Sequence, residues 1–257
     1  MTNSHGNFVW YELMTTDVAA AATFYSAVTG WATSDAGHPT MPYTLVHAGK
    51  PAVGGMMVLP DEARAQGVRP SWIGYVSVDD VDAYAKRVEQ AGGKIHRPPS
   101  DIPQVGRFAV VADPQGAAFV LFKAAADMSA PENTTEKSGH IGWHELMATD
   151  MEAAFAFYSS LFGWVKTNAI DMGPMGIYQL FSAGGPDIGG MMTKPPTAPW
   201  PFWTFYVQVD SVKQAVGKIA AAGGKVVNGP MEVPGGQWIV QGLDPQGASF
   251  ALVSPVA

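Results

Sequence analysis

The feature that most constrains this chain is that it contains a second copy of itself. Phe8-Val-Trp-Tyr-Glu-Leu-Met-Thr-Thr-Asp17 leads to Phe24-Tyr25 and Gly30-Trp31, and Ile141-Gly-Trp-His-Glu-Leu-Met-Ala-Thr-Asp150 leads to Phe157-Tyr158 and Gly163-Trp164, always 133 residues later. Tyr43, Leu45 and Gly54-Gly-Met-Met57 recur as Tyr178, Leu180 and Gly189-Gly-Met-Met192. Trp72, Tyr75, Asp79, Ala91-Gly-Gly-Lys94 and Asp113-Pro-Gln-Gly116 recur as Trp203, Tyr206, Asp210, Ala222-Gly-Gly-Lys225 and Asp244-Pro-Gln-Gly247. The spacing drifts to 135 and then 131 residues, as loop insertions and deletions would make it. So long a period, occurring twice, means a duplicated domain; solenoid units are shorter and need at least three copies.

Each copy opens with a strand that feeds a helix. In the second copy Met151, Ala154, Phe155, Tyr158 and Phe162 follow the spacing that lines apolar side chains along one helical face. Asp17 and Asp150 stand at the N-cap positions, and Gly30 and Gly163 where a left-handed residue ends a helix without a Cβ penalty. Downstream, 31–34, 43–48 and 53–59 read as strands and 60–70 as a polar loop. A strand at 71–78 precedes a helix capped by Asp79 or Asp80, with Val81, Tyr84, Ala85 and Val88 on one face and Gly92-Gly93 as its stop. Strands at 94–97, 107–112 and 117–122 complete the half, the last two joined by Asp-Pro-Gln-Gly in a type I turn. Each half is therefore βαβββ twice over, an α+β chain of four modules in two domains, 1–126 and 140–257. The polar, aperiodic stretch 127–139 is the linker.

Bulk composition narrows the functions. Among 257 residues, 47% are hydrophobic and 14% charged, a globular profile. The net charge of −7, with no Lys/Arg cluster, excludes a basic face for nucleic acid. Zero cysteines exclude disulfides, thiolate metal sites and a cysteine nucleophile. No apolar run approaches membrane-spanning length, and the first residues lack the basic and apolar regions of a signal peptide, so the cytoplasm is the expected location.

Paired βαβββ modules, a first strand ending in Leu four residues before an Asp, then Phe-Tyr, Gly-Trp and a final Asp-Pro-x-Gly turn resemble the vicinal oxygen chelate superfamily. Glyoxalase I, bleomycin-resistance proteins and extradiol dioxygenases belong to it, and the two-domain actinobacterial glyoxalase-like proteins are most similar. The resemblance implies curved mixed sheets forming cups. It also implies a divalent metal held by His or Gln on the first strand, His on the fifth and Glu on the last. Those positions map onto Trp10 and Trp143, Ile73 and Thr204, and Val120 and Ala251. None is an imidazole or carboxylate, so no metal or other cofactor is expected there, and a divalent metal would need a relocated site.

Strand alternation places Glu12 beside Trp10 and Glu145 beside Trp143 on the cup-facing side, with His144 facing away. A buried carboxylate needs a partner: a ligand, a water, or a neighbouring Trp or Tyr donor. Glu12 and Glu145 are therefore the candidate acid–base residues, and Trp10, His47, Tyr75, Trp143, Thr204 and Tyr206 the candidate ligand contacts. Trp200, Trp203 and Trp238 are expected to make the second cup the more aromatic. His144-Glu145-Leu-Met-Ala148 lacks the second His of a zinc-protease helix, and the Gly-Gly-Met-Met segments are not phosphate loops; their glycines are read as close backbone approaches and their methionines as core filling.

Three functions stay open at this point. The first is a protein that binds a small aromatic organic molecule without the usual metal, as the bleomycin-resistance branch does. The second is a glyoxalase- or dioxygenase-like enzyme with a relocated metal or metal-free acid–base chemistry, and the third an interaction protein whose cups are filled. The fused duplication is expected to act as a monomer with internal pseudo-symmetry, a dimer being the alternative.

Overall fold

The computed structural model describes residues 4–38, 41–125 and 137–257. Positions 127–136 of the expected linker lie outside them. The first half runs β1 (Phe8–Thr15), α1 (Val18–Thr29), β2 (Ala32–Asp35), β3 (Thr44–His47), β4 (Ala52–Val58), α2 (Asp61–Ala65), β5 (Ser71–Ser77), α3 (Val81–Gln90), β6 (Lys94–Ile102), β7 (Gly106–Ala112) and β8 (Ala118–Ala124). The second runs β9 (Ile141–Ala148), α4 (Met151–Phe162), β10 (Val165–Asp171), β11 (Ile177–Ser182), β12 (Asp187–Thr193), β13 (Phe202–Gln208), α5 (Val212–Ala221), β14 (Lys225–Glu232), β15 (Trp238–Leu243) and β16 (Ser249–Ser254), with one 3-10 turn at Gly173–Met175. Each half forms an open eight-stranded mixed sheet, in the orders β2-β3-β4-β1-β5-β8-β7-β6 and β10-β11-β12-β9-β13-β16-β15-β14. The fold is thus the α+β arrangement of four βαβββ modules expected from the sequence.

Local chemistry explains the element ends. Asp17 and Asp150 each accept a backbone N–H three residues on, at 2.9 and 3.0 Å, and Gly30 and Gly163 close their helices at φ of 78° and 71°. Asp80, not Asp79, caps α3. Two expectations change. The polar loop at 60–70 contains α2, which starts behind Pro60 with Asp61 and Glu62 in its first turn, where acidic groups meet the positive end of the helix dipole. The short strand at 94–97 extends to Ile102, because β6 is an edge strand and Pro98-Pro99 removes no hydrogen bond from an inner ladder.

The described residues pack as two compact units, and each draws on both halves of the sequence. One contains 4–9, 74–125 and 144–203; the other contains 10–38, 41–73, 137–143 and 204–257. In the first unit the Trp203 indole N–H donates to the Tyr158 hydroxyl at 3.0 Å, and that hydroxyl donates to Asp113 Oδ2 at 3.1 Å. Asp113 Oδ1 accepts the N–H groups of Gln115 and Ala117, fixing the Asp-Pro-Gln-Gly turn. The second unit repeats the relay from Trp72 through Tyr25 to Asp244, at 2.8 and 3.1 Å. The second Trp of each repeat is equally committed: Trp164 donates to the Gly6 carbonyl and Trp31 to the Gly139 carbonyl, both at 2.7 Å. A Cβ on Gly139 would stand 2.9 Å from Ala48 Cβ, so glycine is required beside the ring.

The Phe-Tyr, Gly-Trp and Asp-Pro-x-Gly signatures therefore hold the fold. Burial pushes Tyr25 and Tyr158 well above the usual phenol range, so both hydroxyls stay protonated and able to donate. Each relay joins a helix of one half to a turn of the other, inside one unit.

Candidate functional site

The cluster that combines rings with a carboxylate lies on the face of β1 turned away from α1. Tyr11 and Leu13 are buried on the helix side, while Trp10, Glu12 and Met14 alternate onto the other. In the parallel pairing of β1 with β4, Glu12 stands opposite Gly55, and Gly55 is paired in turn with Leu45 of β3. Tyr43, just ahead of β3, lays its ring across Gly55: a Cβ there would fall 2.2 Å from the Tyr43 hydroxyl oxygen. The missing side chain is what lets the phenol reach Glu12. Trp10 Nε1–H donates to the Tyr43 hydroxyl at 2.9 Å, and that hydroxyl is hydrogen-bonded to the Glu12 carboxylate. Burial, followed by the Glu12 charge, holds the Tyr43 pKa far above the usual phenol range, so the proton stays on the oxygen between ring and carboxylate. Glu12 is 8% exposed, and Tyr43 is the partner its burial demands.

Tyr43 was not among the residues singled out from the sequence. The available signal was its recurrence as Tyr178, at a fixed distance ahead of Gly-Gly-Met-Met. The second half repeats the strand geometry: Glu145, 8% exposed, pairs with Gly190, and a Cβ on Gly190 would fall 2.2 Å from Tyr178 Cζ.

His47 ends β3, where its Nε2 meets Ser34 Oγ at 2.9 Å on the exposed β2–β3 pair. Tyr75 is buried opposite Val120 and meets the Phe122 ring edge-on at 5.8 Å. Tyr206 faces Ala251 across β13 and β16, with Trp143 packed against this pair, and Thr204 shares its side of β13. The Tyr206 hydroxyl accepts from Gln241 at 2.6 Å, and Gln241 accepts from Asn228 at 3.0 Å. Three tryptophans expected in the second cup lie elsewhere. Trp203 turns to the helix side to bond Tyr158; Trp238, paired with Ser254, has the Lys213 ammonium 5.7 Å from its ring; Trp200 is 56% exposed. Neighbouring strand residues point to opposite faces, so Trp203 and Trp238 face away from Thr204 and Ile239 and do not line the cup.

His144 faces the helix side as expected. It is 4% exposed, stacks on Phe8 at 4.3 Å, and meets the Ile188 carbonyl through Nδ1 at 2.5 Å. A carbonyl accepts, so Nδ1 carries the proton. Burial pushes the imidazole down to about 4, and it is neutral at physiological pH.

A metal at the superfamily's usual positions finds no ligands. Trp10 and Trp143, Ile73 and Thr204, Val120 and Ala251 offer indole, alkyl and one hydroxyl group. Among the described residues no group of three or more His, Asp or Glu gathers into a metal-binding arrangement elsewhere. The residues present do not fit the ion.

Two paired-βαβββ sheets, with ring-lined faces and a carboxylate on the first strand of each, define a glyoxalase-type fold, and comparison with known proteins makes the assignment. The chain belongs to the Glyoxalase/Bleomycin resistance protein/Dioxygenase superfamily, which it matches over residues 7–121 and 137–252. It is 33% identical over 249 residues to a putative glyoxylase, CFP32, of Mycobacterium tuberculosis, covering 96% of this chain and 94% of that protein. It is 31% identical to the anthracycline biosynthesis protein DnrV of Streptomyces peucetius, covering 95% and 91%. Among solved structures, the Mn(II)-bound glyoxalase of Novosphingobium aromaticivorans superposes with a TM-score of 0.64 at 16% identity, covering 99% of this chain and 83% of that one, which shows a shared fold. No helix among the described residues is long and apolar enough to cross a membrane.

Proposed function

We propose that this chain binds a planar aromatic organic molecule on the face formed by Trp10, Tyr43 and Glu12, without a metal at the superfamily's ligand positions. The observation that carries this reading is the Trp10–Tyr43–Glu12 chain over Gly55. It puts two aromatic rings and a carboxylate on one half-buried face, a setting that favours flat ligands with a donor or a positive charge. Relationship to a protein named for anthracycline biosynthesis supports a polycyclic aromatic, and the superfamily's bleomycin-resistance branch supports binding as a function in its own right. In the second half the Tyr178 ring lies over Gly190, the strand neighbour of Glu145, and Trp143 with Tyr206 supplies a second ring surface. The chain acts as a monomer, and its net charge of −7 argues against a nucleic-acid partner.

Acid–base catalysis is the second reading, and the Glu12–Tyr43 bond favours it because the phenol, keeping its own proton, orients a carboxylate that can accept one from a bound substrate. Both readings are tested by titrating the protein with a hydroxyanthraquinone and following tryptophan quenching. Saturable quenching is expected, and Trp10→Ala should weaken it by roughly tenfold, the worth of one ring contact. Quenching that survives Trp10→Ala unchanged would move the ligand elsewhere. Conversion of the bound molecule, lost in Glu12→Gln, would select the enzyme.

A further inference from the structure

The duplication gives the second unit a reference structure inside the same chain. A cavity of about 270 Å³ opens there beside the end of α1 and the start of α5, lined by Thr29, Trp31, Ser138, Asp210, Ala215 and Lys218 among others. The equivalent place in the first unit is filled by the chain itself. The correspondence is fixed by geometry: Gly6 and Gly139 each accept the indole N–H of their Trp at 2.7 Å, and Asp80 and Ser211 each cap the following helix. In that register Thr29 replaces Phe162, Ser138 replaces His5, Ala215 replaces Tyr84 and Lys218 replaces Arg87.

The filled version is a packed stack. The Tyr84 ring lies parallel to Phe162 at 6.2 Å and edge-on to His5 at 5.3 Å, and the Arg87 guanidinium covers its face at 4.5 Å. The Tyr84 hydroxyl meets His5 Nε2 at 3.0 Å, while His5 Nδ1 faces Asp79 at 3.6 Å. All four replacements in the second unit shorten or remove these groups, and what survives is the part that would recognise them. Asp210 stands for Asp79, Trp31 for Trp164, and Lys218 keeps a positive charge. Neither Asp210 nor Lys218 has an ion-pair partner among the described residues.

We infer that this cavity is a second ligand site, taking a planar heteroaromatic molecule of one or two rings whose ring N–H donates to Asp210. Such a ligand restores the ring stack and the imidazole–carboxylate contact that the first unit makes with its own side chains. The volume agrees: 270 Å³ is just under the roughly 300 Å³ at which drug-sized sites begin, so the occupant is fragment-sized. This site shares no residue with the Trp10–Tyr43–Glu12 face and does not depend on the function proposed for it.

The probe is benzimidazole, with N-methylbenzimidazole, which lacks the ring N–H, as its comparison; binding to the full chain is read by saturation-transfer NMR. Benzimidazole is expected to bind saturably, and Asp210→Asn or the N-methyl compound should weaken binding by about tenfold, the loss of one charge-assisted hydrogen bond. The double variant Ser138→His, Ala215→Tyr, which rebuilds the first unit's plug, should abolish binding, while Trp10→Ala should leave it unchanged. If the wild-type chain shows no saturable binding, or the folded plugged variant and Asp210→Asn both bind like wild type, the inference is wrong.

Discussion

Tyr158→Phe removes one oxygen atom from the core of the first unit and tests whether the family signature residues carry stability. The hydroxyl accepts the Trp203 N–H and donates to Asp113 Oδ2, while the other carboxylate oxygen already serves two backbone N–H groups. Asp113 is 2% exposed, so water does not replace the lost donor. Removing a hydrogen bond to a buried charged acceptor costs about 2 kcal/mol, and stranding the indole N–H adds about 1 kcal/mol, for a total near 3 kcal/mol. Urea denaturation followed by fluorescence should show a lower midpoint with an unchanged slope. The penalty has a pH signature. Burial already raises the Asp113 pKa, and the Tyr158 bond opposes that rise, so the variant pushes it higher. A raised carboxylate pKa makes the charged form the costly one, and the loss should shrink as pH falls through the raised value. Tyr25→Phe should cost the same in the second unit, and the two effects should add within about 0.5 kcal/mol. A loss below about 0.5 kcal/mol in either variant would refute the relay as a stabilising element.

Other expectations follow from single contacts. Gly55→Ala drives a methyl group into the Tyr43 ring, so it should displace the phenol, break its bonds to Trp10 and Glu12, and weaken aromatic-ligand binding while circular dichroism stays near wild type. His144, lowered from an ordinary 6.5 to about 4, favours the neutral form in the folded state. Its contribution is complete above pH 6.5, is lost as pH falls towards 4, and amounts to about 3 kcal/mol across that window. The wild-type minus His144→Tyr difference in urea midpoints between pH 7.5 and 4.5 should expose it free of the opposing slope from Asp113 and Asp244, and a flat difference would refute it. Asp150→Ala should cost about 1 kcal/mol in the same assay, the value of the N-cap bond to Ala153.

Much of this architecture can be read from residue order because it rests on local rules. Asp17, Gly30, Asp150 and Gly163 mark helix ends through capping and left-handed backbone, and two-residue alternation places Trp10 with Glu12 on one side of β1. What the sequence conceals is set by contacts between residues far apart in the chain. Tyr25 meets Asp244 across 219 positions, and no periodicity shows that Phe-Tyr of one half is built to meet Asp-Pro-x-Gly of the other. The Glu12 partner needed the β3–β4 register, which alone shows that Gly55 clears a path for Tyr43. Trp203 and Trp238 sit in ring-rich segments, yet alternation along their strands turns both to the helix side, which aromatic content alone does not show. The cavity beside α5 emerges only when the two units are compared, since four separate shortenings fall at one place in space.

The central claim is that the Trp10–Tyr43–Glu12 face binds an aromatic molecule without a metal at the superfamily's ligand positions. It is tested most directly by titrating chelator-stripped protein with a hydroxyanthraquinone, with and without added Mn(II), and following tryptophan fluorescence. The account predicts saturable quenching that is the same under both conditions. Binding that vanishes in the stripped protein and returns with the metal would contradict it.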